Sequence, residues 1–136
     1  MRLSIAILAL ILLSCGKDDL TPGGYGYPKG ITIQDKTSIN DCTLPECSED
    51  RIIRLIAKDV KGTIHLDTIQ HKYGVGYLHG FDAFVDFYFC DLPSEFQIEG
   101  LEVKFDGKLI DACGYYQPTW PIEEIYILKV DKIQKL

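Results

Sequence analysis

Three histidines, His65, His71 and His79, fall in one short stretch, and Asp67 follows His65 on what strand alternation makes the same face. An imidazole titrates close to neutral pH, so a His–Asp pair is a ready acid/base couple and a free ring nitrogen is a ready metal ligand. A small hydrolase or metal-dependent enzyme would be built on His65, Asp67 and His79. The chain lacks what usually accompanies such chemistry: there is no H-E-x-x-H and no G-x-S-x-G. Asp82 and Asp86 share a strand face but stand roughly 13 Å apart at strand rise. That is wider than the ~5–9.5 Å of a glycosidase pair, so they read as a solvated face. The stretch "DKTSINDCTLPE" scatters oxygen ligands without the spacing or the glycine of a calcium loop. No catalytic residue, metal or cofactor is assigned from these groups.

The aromatic residues offer a different chemistry. Phe84 and Tyr88 alternate with Asp82 and Asp86 on the face opposite the apolar stripe of one strand, and "CGYYQPTW" puts Tyr115, Tyr116 and Trp120 in a loop. Aromatic rings beside carboxylates suit stacking on sugars or anchoring a protein partner. Phe84, Tyr88, Tyr115, Tyr116 and Trp120 are therefore the candidate binding surface. The competing structural role is a second small core, formed if the loop folds back over that face.

The elements that would position these groups have a period of two. "GTIHLD", "KYGVGYL" and "DAFVDFYFCDL" each alternate, the last with Ala83, Val85, Phe87 and Phe89 inward and Asp82, Phe84, Asp86, Tyr88 and Cys90 outward. Leu101, Val103 and Phe105 alternate in the same way, and "IEEIYILKVDKI" reads as a final strand. Arg51 to Val60 fits either a helical face or a strand, and its isoleucines favour strand. Gly74 and Gly76 share one face, which permits close backbone approach. Asp106-Gly107 is either a hairpin turn or a bulge in a longer strand. Pro93 can open a short helix, with Phe96 plugging the end of the fold. The expected fold is all-β: a small single-domain antiparallel barrel of OB-like plan, or a two-sheet sandwich, with one short helix.

The N-terminus carries an address. Arg2 precedes an apolar run, Leu3 to Leu13, which is short of the roughly 20 residues of a membrane span. Leu12-Leu13-Ser14-Cys15 then resembles the lipobox of bacterial lipoproteins. That resemblance implies a signal peptide over 1–14, lipidation of Cys15, and acyl chains as the contact with the membrane. Lys17, Asp18 and Asp19 are similar to the export signal that Bacteroidota lipoproteins carry after the lipidated cysteine, which implies an outer-membrane, cell-surface location, with the periplasmic face as the alternative. Gly, Pro and Tyr fill 20–30, so 15–30 reads as a flexible tether and 31–136 as the domain. The block from Cys90 to Gly107 also resembles a segment of small Bacteroidota surface lipoproteins, and that resemblance implies no particular activity.

The remaining cysteines, Cys42, Cys47, Cys90 and Cys113, suit two disulfides in an exported domain, and proximity favours Cys42–Cys47 with Cys90–Cys113. Zinc ligation and free thiols are the alternatives. The net charge of −6, with no Lys/Arg run, excludes nucleic acid as a partner. These observations together point to a lipid-anchored, non-catalytic binding or accessory module for a protein or glycan. A small hydrolase and a structural subunit of an envelope complex are the other readings.

Overall fold

A computed structural model describes residues 26–78, 84–114, 116 and 122–136. Cys15, Lys17, Asp18, Asp19, His79, Tyr115 and Trp120 lie outside the described residues. The described elements are β1 (Ile31–Ile33), β2 (Ile53–Asp67), β3 (Lys72–Leu78), β4 (Phe84–Phe89), a 3-10 turn (Ser94–Phe96), β5 (Glu102–Asp111) and β6 (Ile122–Lys135). The ambiguous stretch before Gly62 is strand, continuous with "GTIHLD" in one long β2.

Strand order β2-β3-β4-β6-β5, with β5 returning to pair with β2, closes a five-stranded barrel, and β1 adds a strand beside β2. The fold is thus the small all-β barrel rather than the sandwich, and among the described residues one helical turn falls between β4 and β5, as expected of the OB-like plan. It departs from a purely antiparallel barrel at one seam, where β4 and β6 run parallel. β2 reaches both neighbours because it is bent, with register shifts between Ile53 and Leu55 and between Ala57 and Val60.

Alternation placed the interior correctly. Val85, Phe87, Phe89, Val103 and Phe105 all belong to the main core with Val60, Ile64, Val75 and Leu128. Phe89 and Phe105 meet edge to face with centroids 6.3 Å apart. Burying each such side chain contributes roughly 1.5–3 kcal/mol. Phe96, delivered by the turn that Pro93 caps, closes one part of the same core. Asp106-Gly107 is a bulge inside β5, not a turn. A Cβ on Gly107 would lie 2.5 Å from the Lys129 carbonyl oxygen, so only glycine lets β5 and β6 approach there.

The outward face of β4 corrects the expectation of a solvated strand. Tyr88 is 1 % exposed and Asp86 4 % exposed, whereas Phe84 remains 38 % exposed. Tyr88 packs with Ile110, Ala112, Tyr116 and Ile127 in a second core that Cys47, Cys90 and Ile125 border. Gly74 permits this: a Cβ there would meet the Phe87 carbonyl at 2.8 Å and the Tyr88 ring at 2.9 Å. The cover is a strap, residues 34–52, joined to the barrel by disulfides Cys42–Cys113 and Cys47–Cys90. All four cysteines are therefore bridged, but in neither of the favoured pairs. Proximity in sequence misleads here because a bridge between near neighbours constrains little chain. The observed bridges close segments of 71 and 43 residues. In the chain-entropy model each then contributes on the order of 4 kcal/mol.

Candidate functional site

Two arginines fix the strap. Arg51 is buried and donates from Nη1 to the Glu46 carbonyl (3.1 Å) and from Nη2 to the Asp111 carbonyl (2.6 Å) and to Cys113 Sγ (2.8 Å). Its Nε faces Asp41 Oδ1 at 3.0 Å, an ion pair without hydrogen-bond alignment. Burial works to raise the Asp41 carboxyl, but the Ile52 N–H and the Arg51 guanidinium prevail and hold it below the usual carboxylate range. Arg54 donates to the Thr37 carbonyl at 2.8 Å and to the Ile39 carbonyl, and reaches Asp35 Oδ1 at 3.4 Å. Its own carbonyl accepts the N–H groups of Gln34 and Asp35. The start of the strap is thus clamped from both sides of one residue.

Between the strap and the barrel wall lies a cleft of about 320 Å³. Tyr27, Tyr126, Ile33 and Leu55 line it on the barrel side, and Asp35 and Ile39 on the strap side. Lys36, Arg54 and Asp111 add charges of both signs to its polar wall. Tyr27 donates to Glu124 Oε2 at 2.7 Å, and its hydroxyl lies 3.1 Å from that of Tyr126. Burial pushes the Tyr27 hydroxyl above its ordinary range, and the Glu124 hydrogen bond adds to that. Burial likewise raises Tyr126. Both rings therefore stay neutral at ordinary pH. Hydrogen bonds from the Thr37 side chain and backbone lower the Asp35 carboxyl. The cleft combines aromatic edges, the ionised Asp35 carboxylate and an apolar lip, Ile39, that is 64 % exposed. Such a surface can stack on a sugar ring or a peptide side chain and accept its hydroxyl or ammonium protons.

Only part of the expected binding surface is available. Tyr116 is 9 % exposed and donates to Glu46 at 2.7 Å, and its ring meets that of Tyr88 edge to face at 5.1 Å. Tyr88 donates to Asp67 Oδ2 at 2.7 Å. Tyr88 and Tyr116 are therefore withdrawn from the surface and form the second core, because Cys47 of the strap packs against them with Ile110 and Ala112, and Glu46 of the strap accepts from Tyr116. Phe84 stays accessible. Tyr27 was missed: its Gly and Pro neighbours read as tether, yet it packs against the barrel.

The histidines are also rearranged. His65 Nε2 lies 2.7 Å from Asp86 Oδ1, not from Asp67. The side chains are 34 % and 5 % exposed respectively. The hydrogen bond to Asp86 outweighs burial and raises the His65 pKa above its ordinary value. Asp67 instead accepts the N–H groups of Ile69 and Gln70, forming the β2–β3 turn, and the Tyr88 hydroxyl. The expected partnership of His65 with Asp67 is thus not formed. His65–Asp86 is an acid/base couple to which, among the described residues, no hydroxyl or thiol is hydrogen-bonded. Asp41, Cys42 and Cys113 cluster as closely as metal ligands do, but their sulfurs are bonded to each other and Arg51 occupies the carboxylate.

No protein-family model matches the chain, and no curated protein sequence matches it.

Proposed function

We propose that the protein is a lipid-anchored, extracytoplasmic binding module, tethered through Cys15, that holds a protein segment or glycan in the Tyr27–Tyr126 cleft. One observation carries the choice of site: an aromatic cleft with polar walls, whose strap side is fixed in advance by two disulfides and two buried arginines. A wall ordered before binding loses little entropy on binding. Two bridges also suit an oxidising compartment outside the cytoplasm. The surface address rests on Lys17, Asp18 and Asp19, and an acidic chain leaves membrane attachment to the acyl chains.

Two experiments test this. Protease shaving of intact cells should cleave the wild type and spare a Lys17/Asp18/Asp19 triple-alanine variant, while Cys15→Ala should leave the membrane fraction. Shaving of the triple variant would remove the surface address, and a membrane-bound Cys15→Ala would remove the anchor. For the site, Ile39→Asp changes an exposed lip and spares the core. It should reduce capture of glycan or peptide array ligands by about tenfold, the effect of losing one exposed anchor. Unchanged capture would dismiss the cleft.

The 2.7 Å His65–Asp86 couple favours a second reading, a small hydrolase with His65 as general base. Hydrolysis of ester or glycoside panels that vanishes in His65→Ala would establish it. If neither variant changes any interaction, the role left is structural, within an envelope complex.

A further inference from the structure

The two bridges of the strap are set in unlike surroundings. Cys47 and Cys90 pack against the apolar second core around Tyr88 and Ile127. Apolar surroundings disfavour a thiolate. Among the described residues, no cation donates to either of these sulfurs. Cys42 and Cys113, each partly exposed, join the strap to the end of β5 in a polar setting. There Arg51 Nη2 donates to Cys113 Sγ at 2.8 Å and to the Asp111 carbonyl at 2.6 Å, which holds the guanidinium on that sulfur. Two carboxylates stand near, Asp41 within 4.8 Å of both sulfurs. Asp41 is taken by Arg51 Nε at 3.0 Å and by the Ile52 N–H, and Asp111 Oδ1 by the Cys113 N–H at 2.7 Å. Both carboxylates thus have donors of their own, and the charge in contact with Cys113 Sγ is the guanidinium. Cys113 is also strained: its φ of 56° puts a non-glycine residue in the left-handed region. Such outliers persist only where the surroundings hold them, and they gather at switch segments.

We propose that Cys42–Cys113 is a redox-sensitive latch on the strap, opened by thiol–disulfide exchange with Cys113 as the leaving sulfur. The co-reactant is an external dithiol. Its first thiolate attacks Cys42 Sγ. The Cys42–Cys113 bond breaks, and its electron pair stays on Cys113 as a thiolate beside Arg51. A sulfur that leaves as a stabilised thiolate leaves faster. The second thiolate of the dithiol then displaces Cys42, which takes a proton from solvent. The dithiol has become a disulfide, and two electrons have passed to the bridge. Opening unties the strap before Cys42 from β5, while Cys47–Cys90 keeps the later part in place. Arg54 still holds the Thr37 and Ile39 carbonyls, so the segment loosens without departing. Asp35 to Asn40 of that segment wall the cleft, so the effect of the latch on binding rests on the reading above. The chemistry of the bond does not.

The test uses the full chain with Cys15→Ser, whose four remaining cysteines are the bridged ones. It is incubated with glutathione without denaturant, trapped with N-ethylmaleimide and mapped by mass spectrometry. Cys42–Cys113 should open about tenfold faster than Cys47–Cys90, with glutathione on Cys42 and the maleimide on Cys113. In that adduct the amides of 36–42 should exchange hydrogen faster while β2 and β5 keep their protection. Arg51→Lys keeps the charge but loses the fork, and should slow the opening about threefold. If Arg51→Lys opens both bridges at one rate it has unfolded, and the map of the unsubstituted bridge region decides. Glutathione on Cys113, Cys47–Cys90 opening first or at the same rate, an unchanged rate in folded Arg51→Lys, or loss of protection across the barrel overturns the latch. Ligand capture is not read, so a failure of the binding reading leaves these outcomes as they are.

Discussion

Arg51 and Arg54, where the chain enters β2, and Lys61, beyond its bulge, are cations on one continuous stretch with opposite treatment. Each arginine is buried and its guanidinium meets carbonyl or carboxylate oxygens of the strap. Lys61 is exposed and its cross-strand partner is another lysine. The first arrangement serves cohesion, since a buried charge is tolerable only with its partners in place. The second contributes nothing to cohesion. The contrast separates residues that hold this barrel together from residues that the barrel merely displays, and function is to be sought among the displayed ones.

The largest effects should come from undoing the strap. Cys42→Ala/Cys113→Ala should lower unfolding stability by on the order of 4 kcal/mol, read from urea curves with matched slopes. A loss below about 1 kcal/mol would mean that the 71-residue segment is held by other contacts. Asp41→Asn comes next. It leaves Arg51 buried opposite a neutral group and should cost about 3 kcal/mol. The wild type should also lose this contribution in acid. The Asp41 carboxyl is depressed in the folded state, so its stabilisation is present above the unfolded pKa of about 3.9 and disappears as pH falls through the folded value. Asp41→Asn should flatten that acid limb. An unchanged limb would place the acid sensitivity in other carboxylates.

The smallest effect concerns His65. Its folded pKa is raised, so its contribution is complete below about pH 6.5 and is lost as pH rises through the folded value. The side chain is a third exposed, so solvent screening keeps the difference under about 1 kcal/mol. His65→Gln should remove this slope between mildly acidic and mildly basic pH while leaving the acid limb intact. Persistence of the slope would assign it to another group.

What was legible in the sequence was whatever repeats every second residue. Val85, Phe87, Phe89, Val103 and Phe105 announce their inward direction by alternation, and the barrel follows from enough such strands. What was not legible depends on segments with no period. Nothing in "DKTSINDCTLPECSED" shows that it will lie over β4, so Tyr88 and Asp86 read as outward residues and Cys42 appeared to belong with Cys47. Tyr27 was concealed by flexible neighbours. The cleft inherits both difficulties, because it lies between Tyr27 and that same strap.

The parallel seam has a consequence for how the chain acquires its shape. β6 sits between β4 and β5, so the barrel cannot close until Ile122–Lys135 has been synthesised and threaded beside both. Until then β4 and β5 each present an unpaired edge, and Phe105, Leu109 and Phe87 lack their cover. Until β6 is in place the chain is an open, adhesive ribbon, and closing the barrel brings together segments far apart in sequence, a step of high contact order.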